Sequence, residues 1–425
     1  MMENNDLSLE KLQSKMNEIG RAARAAAAKL GVISAEDKVK CLNYMADCIV
    51  EDMKNILSAN VLDMAYGREH NLSGAMLDRL ALDEKRVSAV AEALRVVAAQ
   101  QDPVGKIISR EERPNGMIID KVSVPIGVIG IIYESRPNVT VDAAGICLKA
   151  GNAVILRGGT EAFNSNQAFA ASMARAAAKF GLQGAVQVLP WSDRRAVSLL
   201  LKLDKYVDLI IPRGGEGLIR AVMAESIIPV IKHYKGVCHL FVDRDADLAM
   251  ACKIVLNGKS QRHGVCNALE QILIHRDIAQ EFVPMMVRTM AEHQVKYCGD
   301  AEFVALCPEA TAAQDDDYER EFLDYKVAVK IVSGVEEAVS RINTNGSHHS
   351  DVIITKNSET ARYFVNMVDS AAVYHNASSR FTDGGEFGMG AEIGISTDKL
   401  HARGPMGVDE LTTYKYIIRG DGQVR

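Results

Sequence analysis

The chain has 425 residues, of which 48% are hydrophobic and 24% are charged, a composition typical of a globular protein with two or three domains. Its formal net charge of −6 and its aromatic content of 5% argue against nucleic-acid binding, because neither a basic surface nor base-stacking platforms are indicated. No segment approaches the run of about 18 apolar residues that a membrane span needs, and the first residues do not resemble a signal peptide.

The first hundred residues are predicted to be helical. Apolar residues recur three and four positions apart in residues 9–30, which end at Gly31, and again in residues 39–57 and 85–100. Two apolar runs then flank Pro114-Asn115-Gly116, a pattern that predicts a β-hairpin over residues 107–124. The hairpin is either a bridge between domains or subunits or an ordinary surface hairpin.

From Val124 onward, strands alternate with helices, as expected of βαβ units with a parallel, doubly wound sheet. The predicted strands cover residues 128–135, 153–159, 185–190, 207–215 and 228–233. Two of them end in Arg-Gly-Gly turns, whose residues are Arg157, Gly158, Gly159, Arg213, Gly214 and Gly215. Glycines at strand ends allow close backbone approach, and the next helix offers N–H groups to an anion. One such turn alone indicates only a surface arginine, whereas the pair favours a nucleotide site, although no GxGxxG motif is present.

A second α/β unit is predicted after His233. Its strands cover residues 237–243, 269–277, 327–332, 350–355 and 371–376, with helices between them. Residues 307–322 are polar and predict a solvated loop. The glycine-rich residues 380–394 predict irregular backbone, and residues 411–420 predict a closing strand.

Cys266 is the cysteine whose surroundings favour reactivity. It lies in QRHGVCNALE, in a predicted turn between a helix and a strand, near Arg262 and His263, and cationic neighbours lower the pKa of a thiol. Asn267 offers a hydrogen-bond donor beside it. A buried packing cysteine is the alternative, and five others fit that description: Cys41, Cys48, Cys147, Cys238 and Cys252. The eight cysteines are scattered and lack zinc-ligand spacing, which predicts reduced thiols in a cytoplasmic protein without a metal site.

Four stretches, residues 124–159, 212–215, 261–270 and 378–407, together resemble the gamma-glutamyl phosphate reductase family of the aldehyde dehydrogenase superfamily. The resemblance covers nearly the whole chain. It implies an α/β fold with two doubly wound domains and a small β oligomerisation ribbon. We therefore expect a cofactor-binding domain over 1–106 and 125–236, a catalytic domain over 237–400, and a bridging ribbon from 107–124 and 401–425.

The resemblance implies NADPH-dependent reduction of L-glutamyl 5-phosphate to L-glutamate 5-semialdehyde, with release of phosphate, in proline biosynthesis. Cys266 matches the family nucleophile, which carries the acyl group as a thioester. Arg136 and Asn138, from the stretch ESRPN, together with backbone N–H groups near Cys266, are candidates to stabilise the oxyanion or the acyl phosphate. Residues 230–241 lack the glutamate that hydrolytic relatives use as a base, which favours reduction of an acyl phosphate over oxidation of an aldehyde to an acid.

Cofactor residues can also be carried over from the resemblance. Thr160 stands where NAD-preferring relatives have an acid, which favours NADP with Arg157 as the charge partner of its phosphate. The adjacent Glu161 acts against this preference. Glu321 aligns with the glutamate that holds the nicotinamide ribose, although a solvated loop charge is the alternative for that residue.

The sequence gives fewer indications of which residues bind the two ends of the substrate and of which partners the protein has. Arg262, Arg380 and Asp383 are candidates for the amino and carboxylate groups of the substrate. His263 stands where the family usually has proline, and the hypothesis is that it tunes the thiolate. A homo-oligomer and handover of the acyl phosphate from glutamate 5-kinase are further expectations.

Two other functions were weighed against the reductase. One is a CoA-acylating or oxidative aldehyde dehydrogenase on the same fold, which the missing base disfavours in its oxidative form. The other is an inactive scaffold, which the intact Cys266 and both Arg-Gly-Gly turns disfavour.

Overall fold

The computed structural model describes residues 7–134 and 136–425. Its helices within those ranges are α1 Leu9–Leu30, α2 Ala35–Glu51, α3 Met53–Glu69, α4 Gly74–Leu80, α5 Glu84–Ala99, α6 Asn138–Lys149, α7 Phe163–Lys179, α8 Arg194–Leu200, α9 Glu216–Glu225, α10 Leu248–Ser260, α11 Ala279–Met290, α12 Ala301–Leu306, α13 Val335–Asn345 and α14 Ser358–Met367. Its strands are β1 Ile107–Glu112, β2 Ile118–Pro125, β3 Val128–Tyr133, β4 Ala153–Arg157, β5 Val186–Val188, β6 Leu209–Arg213, β7 Cys238–Val242, β8 Leu269–His275, β9 Lys296–Gly299, β10 Thr311–Ala312, β11 Lys326–Val332, β12 Ser350–Ile354, β13 Ala372–His375, β14 Gly394–Ser396, β15 Gly404–Met406 and β16 Thr412–Arg419.

The chain divides into two compact units. The first unit contains the described residues up to Lys232 together with Gly388–Gly394 and Met406–Arg425, and the second contains His233–Phe387 and Ile395–Pro405. Each has its own parallel sheet, which confirms the predicted α/β class. Among the described helices, none is both long and apolar enough to cross a membrane.

The sheet of the first unit has the order β5-β4-β3-β6, with all neighbours parallel. Every residue of β3 is buried, because the strand lies between β4 and β6. Register pairs Ile132 with Arg157 on one side and Tyr133 with Arg213 on the other. The chain leaves β3 towards β4 and later returns to its other side at β6. A topological switch point, where ligands of such sheets bind, therefore lies at the carboxyl end of β3.

Two predictions for the first unit were wrong in detail. Residues 39–57 are not one helix, because α2 and α3 are separated at Asp52, whose carboxylate is bound by Ser172 and Arg175 of α7. Residues 228–233 are not a strand. They form only one bridge, between Val230 and Ile210, flanked by hydrogen bonds to Ile210.

The predicted hairpin is confirmed and has a third strand. β1 pairs with β2, and β16 pairs with β2 along its whole length, all antiparallel. Gly116 adopts φ +81°, the left-handed conformation that the tight turn requires. Asp120 is 1% exposed and is bound by Arg110 and Arg419, and these arginines hold the pKa of its carboxyl down to about 2. The ion pairs join all three strands of this ribbon.

The second unit has a seven-stranded parallel sheet in the order β10-β9-β11-β8-β7-β12-β13. Its strands are lined on one side by an apolar core that includes Phe282 and Phe303. The solvated loop predicted over 307–322 was wrong in part. This segment contains β10 and a 3-10 turn, and it packs back on the sheet, since Gln271 donates to the Asp317 carbonyl at 2.9 Å and Lys326 pairs with the Asp317 carboxylate.

Candidate active site

Cys266 lies in a turn between α10 and β8, as predicted, at the amino end of β8. It is half-buried, whereas the other seven cysteines are buried. The segments that precede β7, β11 and β12 reach the same amino edge of the sheet, because these strands are parallel to β8 or to its neighbour. The ligand site predicted at carboxyl ends of strands concerns the Arg-Gly-Gly turns of the first unit, whereas the Cys266 loop lies at an amino end.

Gly236 connects two of the predicted residues. A Cβ on residue 236 would stand 1.9 Å from the carbonyl oxygen of Cys266, so the two backbones touch. The N–H of Gly236 donates to the Glu321 carboxylate at 3.0 Å. Cys266 and Glu321 are therefore brought together through one glycine, which the sequence analysis did not single out.

Cys238 was predicted to be a packing residue, and it is buried, but its thiol has a specific partner. The thiol donates to the carbonyl oxygen of Cys266, with 3.3 Å between sulfur and oxygen. On its other side the sulfur lies 3.7 Å from Nδ1 of His349. Parallel pairing of β7 with β8 creates this contact, and no local sequence pattern signals it.

Asn267 holds a distant segment against the Cys266 loop. Its side-chain amide donates to the Thr382 carbonyl at 2.8 Å, and the Ser379 hydroxyl donates to the Asn267 carbonyl at 2.8 Å. Asn267 is 5% exposed. Its amide, expected to be a donor beside the thiol, is thus committed to the segment that carries Arg380.

Of the three predicted substrate residues, Arg380 is the one with a contact to the Cys266 loop among the described residues. Arg380 donates from Nε to the Gln261 side chain at 2.8 Å, which joins it to the Cys266 loop. Burial and the charge of Arg262 lower the pKa of Arg380, and Cys266 and Asp383 act in the opposite direction. Arg380 therefore interacts electrostatically with Cys266, with Arg262 and with Asp383.

The acid nearest to Cys266 in sequence is inside the core. Glu270 and Lys259 are both 0% exposed and form an ion pair at 2.8 Å. Burial raises the pKa of Glu270 to about 7, and its other oxygen accepts from the Leu323 N–H at 3.3 Å. Glu270 therefore fixes the segment that carries Glu321, and it has no access to a water beside the thiol.

His263 packs against Tyr325, with ring centroids 4.1 Å apart and an interplanar angle of 47°. The contact joins the Cys266 loop to the segment that leads into β11. This packing gives the unexpected histidine a structural role. The hypothesis that it also tunes the thiolate stays a prediction.

In the first unit, Arg157 is the centre of a charged cluster at the carboxyl ends of β4 and β5. Its guanidinium donates to the Ser192 carbonyl at 3.0 Å, and its Nε is buried without a partner among the described residues. Burial lowers the pKa of Arg157, Glu161 opposes this effect, and Arg194 adds to it. Arg194, at the start of α8, is an additional basic residue that the sequence analysis missed.

The two Arg-Gly-Gly turns are closely packed, but the helices that follow them offer fewer free N–H groups than predicted. The N–H groups of Asn164 and Ser165, at the start of α7, are bound by the Asp63 carboxylate at 3.0 and 2.7 Å. The Gly215 N–H donates to Glu134 at 3.0 Å. The prediction that these helix ends present N–H groups to an anion is wrong for these donors.

Close packing explains why glycine occupies positions 158 and 159. A Cβ on Gly158 would stand 2.1 Å from the Asn166 side-chain nitrogen, and one on Gly159 would stand 2.2 Å from the Glu161 carboxylate. Thr160 begins a 3-10 turn before α7 and does not cap that helix. Side chains of this turn and of α7 therefore pack directly against these glycines, and the approach of a ligand to the backbone here stays a prediction.

Arg136 and Asn138 follow β3 at the switch point, while Ser135 lies outside the described residues. Asn138 begins α6 and donates to the Asp142 carboxylate at 2.9 Å. Burial raises the pKa of Asp142 to about 6, against that hydrogen bond. Arg136 is half-buried.

No group of three or more His, Cys, Asp or Glu side chains suited to a metal ion occurs within residues 7–134 and 136–425.

Comparison with known proteins gives concordant matches. The sequence profile of the aldehyde dehydrogenase family matches residues 10–324. The chain is 52% identical over 406 residues to gamma-glutamyl phosphate reductase of Thermoanaerobacter sp. (strain X514), covering 95% of this chain and 98% of that one. It is 50% identical over 415 residues to gamma-glutamyl phosphate reductase of Clostridium novyi (strain NT), covering 97% and 100%.

Solved structures agree with these matches. The crystal structure of gamma-glutamyl phosphate reductase from Thermotoga maritima is similar with a TM-score of 0.95 and 42% identity, covering 96% of this chain and 99% of that one. An acetylating aldehyde dehydrogenase from Geobacillus thermoglucosidasius has a TM-score of 0.69 at 17% identity, covering 98% and 99%. The second likeness shows the fold alone.

Proposed function

The chain belongs to the aldehyde dehydrogenase family and, within it, to the gamma-glutamyl phosphate reductases, and we propose that Cys266 carries its chemistry. The reaction is reduction of L-glutamyl 5-phosphate to L-glutamate 5-semialdehyde with release of phosphate, in proline biosynthesis. One observation carries the assignment of Cys266. It is the half-buried cysteine among buried ones, and Arg380 lies within electrostatic reach of it.

The proposed first step is acyl transfer. The Cys266 thiolate attacks the acyl carbon, a carbon–sulfur bond forms, and the carbon–oxygen bond to phosphate breaks, so that phosphate leaves with the electron pair. Positive charge from Arg262 and Arg380 favours the thiolate before attack. The product of this step is a thioester on Cys266.

The second step returns the thiol. A nicotinamide cofactor, when bound, supplies the hydride that reduces the thioester carbonyl. The carbon–sulfur bond then breaks, the oxyanion becomes the aldehyde oxygen, and the thiolate is regained. Backbone N–H groups near Cys266 are the proposed donors to the oxyanion in both steps.

A missing base fits reduction better than hydrolysis. Water that attacked the thioester would release glutamate, so that the acyl phosphate would be consumed without being reduced. Residues 230–241 contain no acid, and Glu270 is buried in an ion pair with Lys259. The thioester therefore survives until hydride transfer, which supports the reductase over an oxidative aldehyde dehydrogenase.

We assign the substrate ends by charge. Arg380 and Arg262 suit the α-carboxylate, and Asp383, exposed on the same segment as Arg380, suits the ammonium group. Arg136 is proposed to meet the acyl phosphate, and Asn138, which donates to Asp142, is ranked second.

The residues of the first unit fit a nicotinamide dinucleotide, and NADPH is the proposed form. Arg157 has a buried Nε without a partner among the described residues, and Arg194 adds positive charge beside it, which suits a 2′-phosphate. Thr160 introduces no repelling charge at this turn, whereas Glu161 does. The glycines at positions 158, 159, 214 and 215 are proposed to allow close approach of the cofactor, and Glu321 is proposed for the nicotinamide ribose.

Self-association is proposed from the ribbon of β1, β2 and β16. Its large apolar side chains that are 49–58% exposed are Ile107, Ile108, Tyr414, Tyr416 and Ile418. Exposed apolar groups on edge strands favour pairing with another copy. Light scattering of the purified protein tests this, and a monomer at micromolar concentration would contradict it. Handover from glutamate 5-kinase and a cytoplasmic location stay predictions.

Replacement of Cys266 by alanine tests the proposed function. We expect turnover of glutamyl phosphate to be lost, with NADPH binding retained in fluorescence titration. Cys252→Ala is the matched control, because Cys252 is a buried cysteine of α10 in the same unit. Retained turnover in Cys266→Ala would refute the nucleophile assignment.

A further inference from the structure

A chain of polar side chains, buried except for the half-buried Tyr374, contacts the Cys266 loop from inside the second unit. Its members, which we call the buried polar chain, are Cys238, His349, Ser350, Thr382 and Tyr374. Nδ1 of His349 lies 2.8 Å from the Ser350 hydroxyl, which lies 2.6 Å from the Thr382 hydroxyl. The Tyr374 hydroxyl completes the chain at 2.7 Å from Thr382.

The buried polar chain reaches the Cys266 loop at two points. The Cys238 thiol donates to the carbonyl of Cys266 at 3.3 Å, and its sulfur lies 3.7 Å from His349. The carbonyl of Thr382 accepts from the side chain of Asn267 at 2.8 Å. Residue 266 and the next residue are thus both tied to the same set of side chains.

Apolar residues would fill this space with a smaller free-energy penalty than these buried polar side chains. Cys238, His349, Ser350 and Thr382 are each 0% exposed, and Nε2 of His349 has no hydrogen-bond partner among the described residues. A buried polar atom without a partner destabilises a fold. Such a group is expected where it serves positioning or catalysis.

The geometry of the peptide group links the Cys238 contact to the direction of the Asn267 N–H. The peptide group between residues 266 and 267 is planar and trans, so its carbonyl and its N–H point in opposite directions. Cys238 holds the carbonyl from inside the second unit. The N–H of Asn267, a proposed oxyanion donor, is thereby directed away from Cys238.

We propose that Cys238 and His349 are positioning residues that orient the 266–267 peptide group, and with it the oxyanion donor next to the nucleophile. This inference rests on the proposed function of Cys266. Cys238 acts as a neutral donor to the carbonyl, and His349 holds the Cys238 side chain in place from the opposite side. Neither residue touches the substrate in this role.

The protonation states are consistent with that role. Burial raises the pKa of Cys238 well above its usual value, and the charges of Asp351, Cys266 and Glu270 act in the same direction. Burial and the nearby His233 lower the pKa of His349 to about 3. The thiol thus keeps its proton for donation, and the imidazole adds no charge beside it.

Replacement of Cys238 by alanine and by serine tests the proposal, with Cys298→Ala as the matched control. Cys298 is also buried in the second unit and also lies near a backbone carbonyl, that of Val327, at 3.8 Å. Cys238→Ala is expected to lower kcat about tenfold, less than loss of an oxyanion donor itself, with unchanged KM for NADPH. Serine, which keeps a donor, is expected to restore kcat to within about threefold, because the hydrogen bond is retained.

A second readout does not need the natural substrate. The rate at which iodoacetamide alkylates Cys266, located by mass spectrometry, is expected to change in Cys238→Ala and to stay normal in Cys298→Ala. If Cys238→Ala fails to fold, His349→Phe, which keeps a ring but removes both nitrogens, must show the same loss of kcat. Wild-type kcat in a folded His349→Phe protein would then overturn the proposal.

The outcomes separate this inference from the proposed function. Equal kcat and equal alkylation rates in Cys238→Ala and Cys298→Ala overturn the positioning role, even if Cys266→Ala is inactive. Activity in Cys266→Ala instead overturns the proposed function itself. Loss of kcat in Cys238→Ala with rescue by serine supports the role of Cys238.

Discussion

The backbone of Cys266 lies so close to Gly236 that a Cβ on residue 236 would stand 1.9 Å from the Cys266 carbonyl oxygen. The obstacle is backbone, which cannot rotate away as a flexible side chain can. The same glycine donates its N–H to Glu321 at 3.0 Å. Residue 236 therefore sets the position of the nucleophile and of a proposed cofactor ligand at once.

Gly236→Ala is expected to displace the Cys266 loop, and kcat should fall at least about tenfold, because small errors in the position of reacting groups are costly. Steady-state kinetics and thermal unfolding measure the effect. Gly217→Ala is the control, since a Cβ there meets nothing within 4 Å and α9 gains a better helix former. Normal kcat in Gly236→Ala would show that the loop tolerates displacement.

Acid should destabilise the second unit through His349. Its pKa is 6.5 in the unfolded chain and about 3 in the fold. Between these values the unfolded chain binds the proton and the folded chain does not, so stability falls as pH falls from 6.5 towards 3. The contribution is about 1.4 kcal/mol per pH unit. Thermal unfolding midpoints at several pH values should fall less steeply in His349→Phe than in the wild type, and identical slopes would contradict the assignment.

Cofactor preference should depend on Arg157. Arg157→Ala is expected to raise KM for NADPH about 10- to 100-fold, the range of a charge-assisted bond to phosphate, with little change in KM for NADH. Initial rates with both cofactors give the comparison. Arg175→Ala, which breaks ion pairs with Glu51 and Asp52, is the control. Equal effects on NADPH and NADH would place the 2′-phosphate elsewhere.

Substrate affinity should depend on Arg380. Arg380→Gln removes a positive charge close to Cys266, and we expect KM for glutamyl phosphate to rise about tenfold or more. KM for NADPH should stay constant. Arg362→Gln, at an exposed position of α14, controls for loss of charge on this unit. An unchanged KM in Arg380→Gln would remove Arg380 from the substrate site.

Features set by local sequence could be predicted. The Asn-Gly turn of the hairpin, the end of α1 at Gly31 and the turn that carries Cys266 all depend on neighbouring residues, and the structure has them in place. The Arg-Gly-Gly turns also lie at strand ends, because alternation of strands and helices determines a parallel sheet.

Features set by contacts between distant residues could not be predicted from the sequence. Asp63 caps α7 from about a hundred positions away, so the helix appeared to offer more donors than it does. Cys238 looked like a packing residue, because its partner at Cys266 is reached only through pairing of β7 with β8. Lys259 of α10 and Glu270 of β8 form an ion pair because the fold packs these two elements together in the core.

Phosphate dependence of the reverse reaction tests the central claim most directly. The protein is mixed with NADP and glutamate 5-semialdehyde, and formation of NADPH is followed by absorbance with inorganic phosphate, with CoA, or with neither. A gamma-glutamyl phosphate reductase that acts through a Cys266 thioester should form NADPH only with phosphate, and Cys266→Ala should form none. NADPH formation with CoA in place of phosphate, or sustained formation without either acceptor, would contradict the account.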